Sequence, residues 1–167
     1  MQKKLPESVD FLKQVERNAC FEGAWPVSGF ARLAEVICSK QGEVTARLKF
    51  GTRAGTPCLD GVVQAELELL CQRCLDPVTK HIESGFRFGL ITSEEEADLL
   101  PIEFEPLLVS DSEQSLIELV EDELLLSLPI VARHDEECSE ILQQHEANDS
   151  VQQDTYRPFA ALKDLMN

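Results

Sequence analysis

Between Val44 and Leu90 the chain changes from helical spacing to strict alternation, and this constrains its fold more than anything else in the sequence. Val44, Ala46, Leu48 and Phe50 alternate with Thr45, Arg47 and Lys49. A second run, Val63, Ala65, Leu67, Leu69 and Cys71, alternates with Gln64, Glu66 and Glu68, and a third places Ile82, Phe86, Phe88 and Leu90 on one side. Side chains of a strand point to opposite faces in turn, so each run is a half-buried strand. Gly51 to Gly55 turns the chain between the first two, and Pro77 follows the second. Short connections between such runs predict an antiparallel sheet with one wet face.

Helical signals flank this region. Val9, Leu12 and Val15 lie at helical spacing behind Pro6, predicting a short helix within residues 5–19. Gly23 and Pro26 interrupt it, and Ser28 is placed to cap a second helix with Phe30, Leu33, Val36 and Ile37 on one face. Ser93 and the Glu94-Glu95-Glu96 run suit a helix start reaching Leu100 before Pro101, and residues 106–109 form a short edge strand. The clearest helix follows: Ser115-x-x-Glu118 is a capping box, Leu119, Val120, Leu124 and Leu128 share a face, and Pro129 ends it. Its other face is acidic, with Glu118, Glu121 and Asp122.

The predicted fold is α+β: a small antiparallel, barrel-like sheet covered by N-terminal helices and an acidic C-terminal helix, plus a mobile tail. Residues 1–138 make a single domain, 139–156 a polar linker, and 157–167 a short amphipathic segment. The last carries an apolar stripe of Phe159, Leu162 and Leu165, suited to docking on its own domain or in a partner's groove. No internal repeat is visible.

Charge separates the two halves. Of 15 Lys+Arg and 31 Asp+Glu, residues 1–90 hold 12 and 11, and residues 91–167 hold 3 and 20. Polyanion binding depends on cations that release phosphate counterions, so the second half is a poor RNA surface and suits a basic partner, or simply keeps the chain dissolved. RNA contact would fall to Arg47, Lys49, Arg53, Arg73, Lys80 and Arg87 sharing a face. Residues 1–6 lead into Glu7, Asp10 and Lys13 rather than an apolar core, and no apolar run is long enough to span a bilayer. The expectation is a cytoplasmic protein with no membrane partner, whose six cysteines are reduced.

Cys71-Gln72-Arg73-Cys74 is the one constellation with site-like spacing, since two thiolates two residues apart converge on a tetrahedral ion. His134 and Cys138 are the candidates for the other half of one structural zinc site. Buried reduced thiols, or the remnant of a lost site, account for the pair equally. A redox dithiol is the least supported alternative, because the pair does not open a helix. His81 and His145 lie outside any motif, and glycine-rich phosphate loops, HExxH and nucleophile elbows are absent, so no enzyme is predicted.

Three segments in order carry a resemblance: Cys71-Gln72-Arg73-Cys74 running into Leu75-Asp76-Pro77-Val78, the helix Val120 to Pro129 reading VEDELLLSLP, and Arg157 to Leu162 reading RPFAAL. In combination they resemble the YceD family, the large ribosomal RNA subunit accumulation proteins. The resemblance implies a non-catalytic accessory role in the synthesis, processing or stability of 23S rRNA, with ribosomal RNA or a pre-ribosomal particle as partner. Many relatives look like zinc proteins with a second cysteine pair after the helix, where this chain has His134 and Cys138. Cys71, Cys74, Asp76, Pro77 and Glu121 to Glu123 match as family signature, with no assigned chemistry. The alternative from another class is an acidic adaptor or chaperone that shields a basic ribosomal protein and never touches RNA.

Overall fold

The computed structural model describes residues 5–110 and 112–138; the expected linker and the tail residues Phe159, Leu162 and Leu165 lie outside them. The chain divides into two compact units, Met1–His134 and Asp135–Asn167. Of the second unit only Asp135–Cys138, irregular in conformation, is described.

The first unit begins with β1 (Ser8–Val9) and α1 (Phe11–Glu16), capped by Asp10, whose carboxylate accepts the Lys13 amide at 3.0 Å. The helix expected over residues 5–19 is thus only six residues long. Its first turn is diverted into a strand that pairs with residues 114–115, and Asn18, at φ 47°, takes the left-handed conformation that ends a helix. β2 (Cys20–Pro26) follows where an interruption was expected. Gly23 and Pro26 do not prevent a strand here because β2 is a sheet edge and Pro26 ends it, so the missing N–H is not needed.

The expected second helix is two 3₁₀ turns, Val27–Gly29 and Leu33–Glu35. Val27, Phe30 and Leu33 are three residues apart and all buried, a spacing that suits three residues per turn better than 3.6. Val36, expected on the same face, is exposed.

β3 (Glu43–Arg53), β4 (Thr56–Leu70) and β5 (Pro77–Ile91) are the three alternating runs. A 3₁₀ segment, Glu94–Leu99, replaces the expected helix; none of its side chains is buried, so no apolar face favours an α-helix. β6 (Glu105–Leu108), β7 (Gln114–Ser115) and α2 (Leu116–Ser127) complete the unit, with the Ser115 hydroxyl accepting the Glu118 amide at 3.1 Å as the capping box requires.

The five-stranded sheet has order β2-β3-β4-β5-β6, antiparallel except for the β5–β6 pair. It is open rather than barrel-like: β2 and β6 are edges. Its inner row, Val44, Leu48, Phe50, Leu59, Val63, Leu67 and Ile82, is buried beneath α1 and α2, which contribute Phe11, Val15, Leu116, Val120 and Leu124. Each such aliphatic side chain stabilises the fold by roughly 1.5–3 kcal/mol relative to exposure. Gly61 leaves room on this face for the Phe86 ring of the neighbouring strand, which a Cβ there would displace.

Candidate metal centre and basic sheet face

The β4–β5 connection, residues 71–76, is a tight loop whose own amides fix the Cys71-x-x-Cys74 pair. The Cys71 amide donates to the Asp76 carbonyl and the Leu75 amide to the Cys71 carbonyl, both at 2.9 Å, and Leu75 turns the loop at φ 67°. After α2, Pro129 sends the chain back past this loop as a strap. The Gln72 amide donates to the Ala132 carbonyl at 2.8 Å, the Gln72 side chain to the Ile130 carbonyl at 3.3 Å, and the Arg73 guanidinium to the His134 carbonyl at 3.2 Å. Segments far apart in sequence are thereby brought together by one backbone and two side-chain hydrogen bonds.

The strap delivers His134 with a defined orientation. Its Nε2 lies 3.1 Å from the Pro77 carbonyl oxygen, which can only accept, so Nε2 carries the proton in the neutral ring. The lone pair of Nδ1 then points at Cys74 Sγ, 3.4 Å away. Zinc bond lengths of about 2.3 Å to sulfur and 2.0 Å to nitrogen place tetrahedral S and N ligands about 3.5 Å apart, so the spacing fits. The second-nitrogen bond to a backbone carbonyl is also how metal-binding histidines are oriented. The ligand atoms of Cys71, Cys74 and His134 all lie within 4.8 Å of one another.

Burial pushes the Cys71 thiol up, but the backbone amides of Cys74, Arg73 and His134, together with the Cys74 side chain, outweigh it and bring the group down to about 5. These contacts favour the Cys71 thiolate, the form that binds metal. Cys138, four residues beyond His134, is half-buried. Cys71, Cys74 and His134 are donors that could share a metal ion.

The cations divide. Arg47, Lys49, Arg53 and Arg87 line one shallow depression on the outer face of the sheet, together with Asp60, Glu103 and Glu105. Arg73 is not with them, since it lies in the loop and donates to the strap. Lys80 is not either: its register partner is Leu67, so it belongs to the inward-facing row and cannot share the outer face with Arg87. The face is internally braced. Arg47 pairs with Glu22 at 2.8 Å, and Asp60 takes Arg87 at 2.6 Å and Arg53 at 3.4 Å. Lys49 is exposed and makes no ion pair among the described residues.

One buried charge was not anticipated. Glu121 is 4% exposed and accepts the amides of Arg32 and Leu33, at 2.7 and 3.0 Å, and the Arg32 guanidinium at 3.0 Å. Asp122 takes the other side of the same guanidinium at 2.6 Å. The acidic face of α2 is thus partly an internal clamp on the 3₁₀ segment. The signal was present in the sequence, since Glu121 lies four residues after Ile117 and three before Leu124, on the apolar stripe.

The family model for the large ribosomal RNA subunit accumulation protein YceD matches residues 59–166. A relative described as large ribosomal RNA subunit accumulation protein YceD, from Haemophilus influenzae, is 32% identical over 171 residues, covering 99% of this chain and 98% of its own. The chain belongs to the YceD family. The YceD match includes the cysteine loop, α2 and both His134 and Cys138, but leaves out β1 to β3, where Arg47, Lys49 and Arg53 lie. No solved structure matches the chain. Among the described residues no helix is long and apolar enough to cross a membrane.

Proposed function

We propose that this YceD-family protein is a non-catalytic, cytoplasmic accessory factor in the synthesis, processing or stability of 23S rRNA, and that it meets the RNA or a pre-ribosomal particle through the outer sheet face at Arg47, Lys49, Arg53 and Arg87. The observation that carries the reading is the convergence of these four cations, three from β3 and one from β5, on one open depression. Asp60 and Glu22 hold the arginines extended over the face, and Lys49 is left for a phosphate. Pull-down of the tagged full chain from growing cells, with and without nuclease, tests it: nuclease-sensitive recovery of large-subunit precursors is expected. Nuclease-resistant recovery of a basic ribosomal protein alone would replace it with the adaptor reading. The observation favouring that second reading is the exposed acids of residues 94–98.

One structural zinc, held by Cys71, Cys74, His134 and Cys138, belongs to the proposal. Three thiolates and an imidazole fill a tetrahedral shell and leave no open position for a reacting water, in keeping with a non-catalytic role. The ion would fasten the strap after α2 to the sheet's hairpin. Protein purified without chelators is expected to carry about one zinc per chain, and Cys74→Ser to carry much less. Far less than one in the parent would remove the ion from the proposal.

A further inference from the structure

The connection between β5 and β6 presents apolar side chains outward from a pinned backbone. Leu99 is 82% exposed and Ile102 106%, as open as in an extended chain. Neither can turn inward, because the inner positions are filled. Leu100 packs so closely on Gly89 that a Cβ there would meet its methyls at 2.8 and 2.9 Å, and Phe104 is buried against the same glycine. The start of the connection is fixed too, with the Glu96 carboxylate accepting the Thr92 amide at 2.8 Å and its hydroxyl at 3.2 Å. Two large aliphatic groups held out by a braced segment of four residues differ from the single exposed apolar residues scattered over most surfaces.

Charge selects the occupant. Residues 93–102 carry Glu94, Glu95, Glu96 and Asp98 and no Lys, Arg or His, while Glu103 and Glu105 face the cationic depression. An apolar pair that follows such a run of exposed carboxylates disfavours nucleic acid and acidic proteins, and complements a cationic chain that brings an apolar group of its own. We infer that Leu99 and Ile102, following this acidic run, form a docking surface for a lysine- and arginine-rich extended segment of a partner protein, with an aliphatic or aromatic side chain of that segment seated on the two residues. The inference rests on the second reading above, that the protein meets a basic partner, and it stands whether or not the opposite charge on the sheet face binds RNA.

The test uses the full chain and a fluorescein-labelled peptide of sequence KRLKRLKRLK, followed by anisotropy, with a second peptide in which serine replaces each leucine. The parent should bind the leucine peptide at least fivefold more tightly than the serine peptide. Leu99→Ser/Ile102→Ser should abolish that preference while retaining weak charge-driven binding. Glu94→Gln/Glu95→Gln/Asp98→Asn should lose at least fivefold in affinity, and the charge-matched Glu16→Gln/Glu35→Gln/Glu43→Gln, all exposed elsewhere, less than twofold. Equal binding by all three variants, or no leucine preference in the parent, would overturn the inference, because the peptide would then be following net charge. Ribosomal RNA recovery by Leu99→Ser/Ile102→Ser reports separately on the RNA face: if peptide docking fails while RNA recovery persists, only the docking surface is lost.

Discussion

The acids of α2 and those between β5 and β6 are close in composition and differ in what they face. In α2, Glu121 is turned under the helix onto the amides of Arg32 and Leu33, Asp122 holds the same arginine from the solvent side, and Glu123 accepts the Ser84 hydroxyl at 3.1 Å. In the connection, Glu94, Glu95 and Asp98 point away from the unit on a 3₁₀ segment with no buried side chain. Glu121 and Asp122 are part of what holds the unit together, and the acids of the connection are free to meet something else. Net charge alone therefore says little about which acids of this chain form a surface for a partner.

Substitutions can break or sharpen that contrast. The largest effect is expected at Glu121→Ala, which leaves the buried Leu33 amide without its acceptor and removes a charge-assisted bond. It should cost ~3 kcal/mol in urea unfolding, and a loss indistinguishable from that of a surface change would break the contrast. Glu123→Gln should act in the opposite direction. Burial, with the nearby Glu105 and Asp122 charges, raises the Glu123 carboxyl above its ordinary value despite the Ser84 bond. Its ionisation opposes folding as the pH rises through that raised value, so the amide variant should be the more stable at neutral pH. The gap should close as the pH falls below the ordinary glutamate range. Asp122→Asn should show only a small fraction of the Glu121 effect, since the pair it weakens is exposed. Glu94→Gln/Glu95→Gln/Asp98→Asn should leave the unfolding midpoint unchanged; a marked shift in either direction would mean the connection's acids are structural as well.

Much of the sheet was legible because it depends on a two-residue period that survives in any surroundings. Val44 to Phe50 and Ile82 to Leu90 take the faces their alternation requires. What the sequence concealed depends on long-range pairing. β1 forms because residues 114–115 offer it a partner, β2 because it adds to the edge of β3, and the turn at Leu33 because a carboxylate from α2 accepts the Arg32 and Leu33 amides. The sheet's failure to close lies at the same level, since no local pattern states whether the two edge strands meet. For the metal centre, Cys71, Cys74 and His134 were visible as donor types at suitable spacing, and the orientation of His134 by Pro77 was not. The cations were legible only by strand parity, which places Arg47, Lys49 and Arg87 together and sets Lys80 on the other face.

The claim that rRNA is met through this sheet face is tested most directly by measuring how binding to transcribed 23S rRNA falls with salt, for the parent full chain and for Arg47→Gln/Lys49→Gln. Each phosphate contact adds about 0.7–0.9 to the slope of log affinity against log salt. The account predicts weaker binding for the variant and a slope shallower by about one to two such contacts. Unchanged affinity and slope would contradict it and leave the protein partner as the only route to the ribosome.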